Sequence, residues 1–282
     1  PAPVTNNKEW PQAGGYPHHA MQNLALGESA QLEQIWRSDI GSGTDDGLPL
    51  ISRPIVAEGK VFTLDTRSKV RAFHDQTGKE LWASNIRDKK EDEPVIGGGL
   101  SYAGGVLFAT SGYNEVLALN PADGKIYWRA HISAASRAAP TVKNGRVFVT
   151  ALNNNVIALD GSTGKIVWEY EGVGETTGLL GAASPAVDKD LVVAALSSGE
   201  LVALRVENGS IAWEDNLSNS LRVGAMAGLS DIRGLPVIAG DVIFAVSYGG
   251  KMVAIDKRTG SRLWTREISS AETPWFSGNT IY

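Results

Sequence analysis

Short apolar runs alternate along this chain with turns rich in Gly, Asn, Asp and Ser. The clearest example begins at Lys143-Asn144-Gly145, which offers the positive φ angles of a tight hairpin, followed by the β-branched and aromatic run Arg146–Thr150. After a turn of asparagines, Val156–Leu159 is continuously apolar, as expected for a strand that is buried on both faces. Another strand starts at Lys165, so the pattern predicts a unit of four antiparallel strands.

This unit recurs with a signature in which an alanine precedes a turn and a tryptophan follows four residues after a glycine. The five copies are Ala72–Trp82, Ala118–Trp128, Ala158–Trp168, Ala203–Trp213 and Ala254–Trp264. Consecutive tryptophans are 46, 40, 45 and 51 residues apart (128 − 82, 168 − 128, 213 − 168, 264 − 213). A period of this length, built from four-stranded units, is typical of β-propeller blades. We therefore predict an all-β protein, a propeller of four-stranded antiparallel blades.

The constant spacing within the five copies of the signature predicts a structural role for each of its residues. The small alanine fits where two sheets approach closely, and the glycine provides a left-handed conformation before the outer strand. The tryptophan would lie flat between neighbouring blades, where an aromatic ring buries a large area. We assign this packing role to Trp82, Trp128, Trp168, Trp213 and Trp264.

The ends of the chain do not complete a ring. Trp36 has the sequence context of an outer strand with no blade before it, and Thr273–Tyr282 matches only the start of a blade. We therefore expect about five and a half blades here and a longer parent protein. The predicted organisation is an N-terminal extended segment, 1–30, and an incomplete propeller, 31–282, with blades at about 48–85, 97–131, 137–170, 181–216 and 233–267 and the start of a sixth at 272–282.

Composition narrows the range of functions. A net charge of −5 without a long basic stripe argues against nucleic-acid binding. The chain has no apolar run long enough to span a membrane as a helix. Cysteine is absent, which excludes disulfides, thiolate catalysis and cysteine-based metal sites from this chain.

A search for catalytic chemistry finds no convincing constellation. Most acidic residues lie in turns or charged loops, and no Gly-x-Ser-x-Gly elbow with a histidine partner is present. His18 and His19 could contact a metal, but no third ligand is evident, so we interpret them as an exposed pair. We therefore predict a protein that is not an enzyme, with no catalytic residues, no metal site and no cofactor.

The five copies resemble the tryptophan-docking repeat of the pyrroloquinoline-quinone (PQQ) type propellers, which usually have eight blades. Residues 9–20 are similar to the segment that begins propellers of this superfamily. Within it, Leu229–Tyr282 resembles the BamB family of outer-membrane assembly lipoproteins, and the similarity covers roughly residues 31–282. The resemblance implies a parent with eight blades.

The same resemblance implies a function. It implies a scaffold of the β-barrel assembly machinery at the periplasmic face of the bacterial outer membrane, held there by a lipid on a cysteine upstream of Pro1. The expected partner is the barrel-forming subunit. Unfolded outer-membrane proteins would be further partners, pairing at strand edges.

The resemblance also indicates where such a partner would dock. Family members use a Leu-x-Leu-Arg loop, matched here by Thr177-Gly178-Leu179-Leu180, and an Asp-x-Asp loop, matched by Asp231-Ile232-Arg233. The predicted partner-binding residues are Leu179, Leu180 and Asp231, with Arg233 or Arg222 supplying a positive charge. Alternatively, the two leucines belong to the core between blades and Asp231 caps a turn.

Two other functions fit the repeat. One is a quinone-dependent dehydrogenase, or its non-catalytic remnant, with a cofactor on the propeller axis. The other is a propeller that binds a different ligand or peptide.

Overall fold

The computed structural model describes residues 3–25, 33–88, 90, 93–174, 180–218 and 231–282. Over these residues the chain consists of β-strands and turns and contains no helix. The predicted all-β architecture of four-stranded antiparallel sheets is confirmed.

Each of five sheets contains four strands that follow one another in sequence and pair antiparallel with their neighbours. The first sheet comprises β1 Ile55–Ala57, β2 Lys60–Leu64, β3 Lys69–His74 and β4 Glu80–Asn85. The second comprises β5 Gly99–Ala103, β6 Val106–Thr110, β7 Glu115–Leu119 and β8 Ile126–His131. The third comprises β9 Thr141–Lys143, β10 Arg146–Thr150, β11 Val156–Asp160 and β12 Ile166–Tyr170.

The remaining strands repeat this order. The fourth sheet comprises β13 Ala186–Asp188, β14 Leu191–Ala195, β15 Glu200–Arg205 and β16 Ile211–Asn216. The fifth comprises β17 Val237–Ala239, β18 Val242–Val246, β19 Met252–Asp256 and β20 Arg262–Arg266. A two-stranded hairpin, β21 Phe276–Ser277 with β22 Thr280–Ile281, follows them.

Burial differs between the strands of one sheet and explains their composition. Every residue of the central strands β7 and β14 is buried, which accounts for their continuous apolar runs. The outer strands, such as β4 and β20, consist of exposed residues with partly buried ones between them. The first strands of successive sheets, β1, β5, β9, β13 and β17, contact one another in turn. These first strands are therefore the innermost ones, and the sheets radiate from them as blades.

The repeated alanine marks an irregularity in every blade. Ala158 pairs with Trp168, and the register between β11 and β12 shifts directly after it. The same pairing and shift occur at Ala72, Ala118, Ala203 and Ala254. All five alanines are fully buried. A β-bulge re-aims the strand on which it lies, so the shift recurs where each tryptophan turns toward the next blade.

Five tryptophans dock on the turn of the following blade through the indole N–H. The ring nitrogens donate to backbone carbonyls: Trp36 to Asp75 (2.7 Å), Trp82 to Pro121 (3.0 Å), Trp128 to Gly161 (3.0 Å), Trp168 to Val206 (2.9 Å) and Trp213 to Lys257 (2.8 Å). Trp36 makes this contact from an extended segment that has no strand assignment, so the prediction of an outer strand there is wrong. An indole can dock wherever the next turn offers a backbone carbonyl, whereas a β-strand requires backbone pairing with a neighbouring strand.

The glycine of the signature receives the tryptophan ring. Gly209 has a φ of +73°, and a Cβ placed there would lie 2.7 Å from the ring of Trp168. Gly260 is arranged in the same way, with a φ of +74° and a Cβ position 2.6 Å from Trp213. Both the left-handed backbone and the close approach therefore require glycine. Trp168 and Trp213 are each 8% exposed as a result.

A segment near the N-terminus lies across the innermost strands, and we call residues 10–22 the N-terminal strap. Its hydrogen bonds reach each blade in order: Trp10 to Val56 of β1, Pro11 to Tyr102 of β5, Gln12 to Val142 of β9, Pro17 to Val187 of β13, His18 to Ile238 of β17, and Gln22 to Trp275. Because it crosses the innermost strands of the five blades in order, the strap follows a curved path around the axis, at the centre of the propeller. It satisfies backbone groups that an innermost edge strand would otherwise leave unpaired.

Candidate functional site

The N-terminal strap and the segments that lead into the innermost strands enclose a cavity of about 290 Å³, here called the axial cavity. Among the described residues, its lining includes Arg53, Arg137 and Arg233 but only one acidic residue, Glu272. Glu272 Oε2 lies 3.8 Å from Arg53 Nη2, and both side chains are about three-quarters exposed, so this ion pair is weak. The axial cavity is thus positively charged in a chain whose net charge is −5.

His19 lies on the strap, lines the axial cavity and is only 5% exposed. Its Nδ1 is 2.8 Å from the carbonyl oxygen of Pro236, and burial lowers the pKa of the imidazole to about 4. The ring is therefore neutral at pH 7 and its Nδ1–H donates to Pro236. His18 Nδ1 accepts a hydrogen bond from the backbone N–H of Ala20. The interpretation of these histidines as an exposed pair is wrong, because the strap carries His19 into the core.

The buried imidazole makes the stability of the fold depend on pH. The pKa of His19 in the folded protein, about 4, lies below its usual value of 6.5, so the unfolded chain takes up the proton first as the pH falls. The stability that neutral His19 contributes is complete above pH 6.5 and is lost between pH 6.5 and pH 4. We expect a loss of about 2 kcal/mol of unfolding free energy from this group between pH 7 and pH 5.

Urea titrations at the two pH values measure this loss. His19→Asn is the comparison, because asparagine tolerates the φ of +62° at this position and retains an N–H that can reach Pro236. Between pH 7 and pH 5, the unfolding free energy of the variant should fall by about 2 kcal/mol less than that of the parent. An equal loss in both proteins would contradict the assignment to His19.

The predicted docking residues are only partly within the described chain. Leu179 and Arg222 lie outside the described residues. Leu180 is 39% exposed and Arg233 is also exposed, whereas Asp231 is only 6% exposed. The backbone carbonyl of Asp231 accepts a hydrogen bond from Tyr248 N at 2.9 Å.

The two loops that carry the predicted docking residues meet at one place. The first follows β12 and the second follows β16, so both lead from an outer strand to the next innermost strand. A Cβ placed on Gly181 would lie 3.3 Å from Nε of Arg233, which shows that the loops are in contact. Gly181 and Arg233 also both line the axial cavity. Leu180, the residue before Gly181, and Arg233 are both exposed beside this contact.

Sequence reasoning missed the arginines that charge the axial cavity. Arg53 and Arg137 each follow a serine just before an innermost strand, in Ser52-Arg53-Pro54 and Ser136-Arg137. A Ser-Arg pair thus precedes the innermost strand in two blades, although its distance from the strand differs between them. Within the described ranges, no group of three or more histidines, aspartates and glutamates is placed to hold a metal ion. No helix in the described part of the chain is long and apolar enough to cross a membrane.

The radiating four-stranded sheets, the docked tryptophans and the strap at the centre define a β-propeller of the PQQ-like repeat class. A family model described as "Outer membrane protein assembly factor BamB" matches residues 66–282. This chain belongs to the BamB family.

Curated relatives named as outer membrane protein assembly factor BamB support this assignment. The chain is 32% identical to the protein from Salmonella typhimurium over 252 residues, and 33% identical to that from Escherichia coli K12 over 251. Each alignment covers 88% of this chain and 64% of the relative. The chain therefore spans less than two thirds of the length of these proteins.

Solved structures agree on the fold. BamB from Moraxella catarrhalis has a TM-score of 0.71 at 22% identity and covers 80% of this chain and 66% of its own. A quinohemoprotein alcohol dehydrogenase from Comamonas testosteroni has a TM-score of 0.73 at 17% identity and covers 93% of this chain and 49% of its own. At such identities these similarities show the propeller architecture alone and carry no information about chemistry.

Proposed function

We propose that this chain is a non-enzymatic scaffold of the machinery that assembles outer-membrane proteins, and that it docks on the barrel-forming subunit. The observation that carries the proposal is the contact between the two loops, which gathers Leu180, Gly181 and Arg233 on one surface of a BamB-family propeller. The proposed location is the periplasmic face of the outer membrane, with a lipid anchor upstream of Pro1.

The chemistry of this surface indicates what it would contact. Leu180, 39% exposed, offers an apolar anchor, and Leu179 extends it in the proposal. Arg233 stands where the loop pattern has its second aspartate, so we propose that it meets an acidic group of the partner, with Arg222 as a second positive charge. Because Asp231 is buried, we assign to it the shaping of the loop rather than direct contact.

The outer strands offer a second mode of interaction. They end each blade with an unpaired edge and expose apolar side chains such as Leu81 of β4, Tyr127 of β8 and Val167 of β12. Exposed edges of this kind can accept an additional strand by backbone pairing. We propose that unfolded outer-membrane proteins pair there transiently. A quinone-dependent dehydrogenase remains the alternative, but its only support is the shared fold.

Charging the apolar anchor tests the docking proposal. We expect the double variant Leu179→Asp with Leu180→Asp to remain folded and to bind the barrel-forming subunit at least about tenfold more weakly, because a desolvated apolar contact cannot accommodate a carboxylate. A binding titration with the purified subunit measures the loss, and thermal melts run in parallel report folding.

Leu81→Asp is the matched control. Leu81 is 44% exposed, similar to Leu180, but lies on the outer strand β4 away from the two loops. Its replacement should leave the affinity for the barrel-forming subunit unchanged, because the outer-strand edges are proposed to pair with unfolded proteins and not with this subunit. Unchanged affinity in the double variant would defeat the docking proposal, and a collapsed melting temperature would instead place the leucines in the core between blades.

A further inference from the structure

Buried polar atoms without a partner are concentrated in residues that line the axial cavity. The described residues contain six buried side-chain nitrogen or oxygen atoms without a hydrogen-bond partner. Three of them, His19 Nε2, Ser52 Oγ and Arg137 Nε, belong to residues that line this one cavity. A buried polar atom without a partner costs stability, so such a concentration points to a group that binds there.

The three atoms specify what that group must carry. Because the Nδ1–H of His19 donates to Pro236, its Nε2 holds a lone pair and can only accept a hydrogen bond. Arg137 Nε carries a proton and can only donate. Arg53 and Arg233 add positive charge to the same lining. A complementary ligand therefore combines an anionic acceptor with a neighbouring N–H or O–H donor.

The rest of the wall is largely apolar. Trp10 and Trp275 line the cavity together with Ile51, Leu100 and Leu235. An apolar body of modest size would be buried against these side chains, and the volume of about 290 Å³ is near the lower end of small-molecule sites. Guanidinium groups match the planar geometry of a carboxylate, which makes a carboxylate the anion of choice.

We propose that the axial cavity is a binding site for a carboxylate carried on an apolar body with an adjacent N–H or O–H donor, as in an N-acyl amino acid or the C-terminus of a peptide that ends in an apolar residue. The carboxylate lies against Arg137, with Arg53 and Arg233 contributing charge. The adjacent N–H or O–H donates to Nε2 of His19. The apolar body lies between Trp10 and Trp275. The proposal does not rest on the proposed function, although Arg233 belongs both to the lining of this cavity and to the proposed docking surface.

Isothermal titration of the full chain with N-acetyl-L-phenylalanine tests the proposal, because this probe carries the carboxylate, the N–H and an aromatic body. We expect saturable binding with a dissociation constant on the order of 1 mM. N-acetyl-L-phenylalaninamide has the same body and N–H but no charge, and should bind at least about tenfold more weakly. A tetrapeptide ending in phenylalanine, with a free carboxylate, distinguishes the two sources of the ligand: tighter binding than the single amino acid identifies a peptide terminus, and weaker binding identifies a small molecule.

Two variants locate the site. Arg137→Gln should weaken binding of N-acetyl-L-phenylalanine by about tenfold or more, since it removes the buried donor. Arg53→Gln, at a side chain that is 76% exposed, should fold in any case and weaken binding several-fold. Arg258→Gln removes the same charge from an exposed turn and should have no effect. Equal binding of the acid and the amide, no saturable binding by the folded parent, or full affinity in both cavity variants would each overturn the proposal.

Discussion

Trp168→Ala should lower the free energy of unfolding by about 3–5 kcal/mol, the cost of removing a large aromatic side chain from a packed core. Trp168 is 8% exposed, its ring packs against Gly209 of the next blade, and its indole N–H donates to Val206. Truncation leaves a cavity between two blades and an unpaired carbonyl on the second. Urea unfolding monitored by far-ultraviolet circular dichroism measures the change.

Trp264→Ala provides the comparison within the same repeat. The ring of Trp264 lies near Phe244 on one side, and the guanidinium carbon of Arg266 is 5.7 Å from its centroid. The ring is only partly buried, so we expect a loss of less than half that of Trp168→Ala. Equal losses at the two positions would refute the idea that docking on the next blade gives the buried tryptophan its stabilising role.

Gln12→Ala should cost about 2–4 kcal/mol, because it leaves two buried backbone groups without partners. Gln12 is 4% exposed; its Nε2 donates to the carbonyl of Val142 at 2.9 Å, and its Oε1 accepts from the N–H of Val142 at 2.8 Å. The side-chain amide thus pairs with innermost strand β9 in the way that a neighbouring strand would. Denaturant titrations of the parent and the variant give the difference.

Gln76→Ala is the matched control, since it makes the same chemical change in an exposed turn. It should alter the free energy of unfolding by no more than about 0.5 kcal/mol. A loss below about 1 kcal/mol for Gln12→Ala would mean that water replaces the amide and that the strap adds little at this blade.

The blades could be predicted because one short signature contains both residue types of each contact between blades. The tryptophan and the glycine that receives the preceding tryptophan recur together, so a single period specified the contact between Trp168 and Gly209. The bulge after each repeated alanine escaped prediction, since it depends on the register between two strands rather than on residue type. The local sequence pattern was therefore enough to place the strands, whereas the bulges depend on how two strands pair.

The axial cavity could not be predicted in the same way. Its walls come from segments far apart in sequence, and His19 is buried only because the strap brings it to Pro236, 217 residues away. Nothing in the local sequence of a His-His pair distinguishes a buried imidazole from an exposed one. Leu180 and Asp231 were both predicted to bind a partner, which stays a prediction, and only the structure separates the exposed leucine from the buried aspartate.

The course of the N-terminal strap has a consequence for the order in which the chain folds. The strap is synthesised before the blades that it contacts, yet its last described hydrogen bond, from Trp275 to Gln22, spans 253 residues. At ordinary rates of about 5–20 residues per second, the ribosome needs many seconds to deliver that partner. Contacts of such long sequence separation form late, because closing the intervening loop costs conformational entropy before the contact adds any stability. Each blade can thus form locally as it emerges and pair with its part of the strap, whereas the contact between Gln22 and Trp275 closes only after the five blades between them have been made.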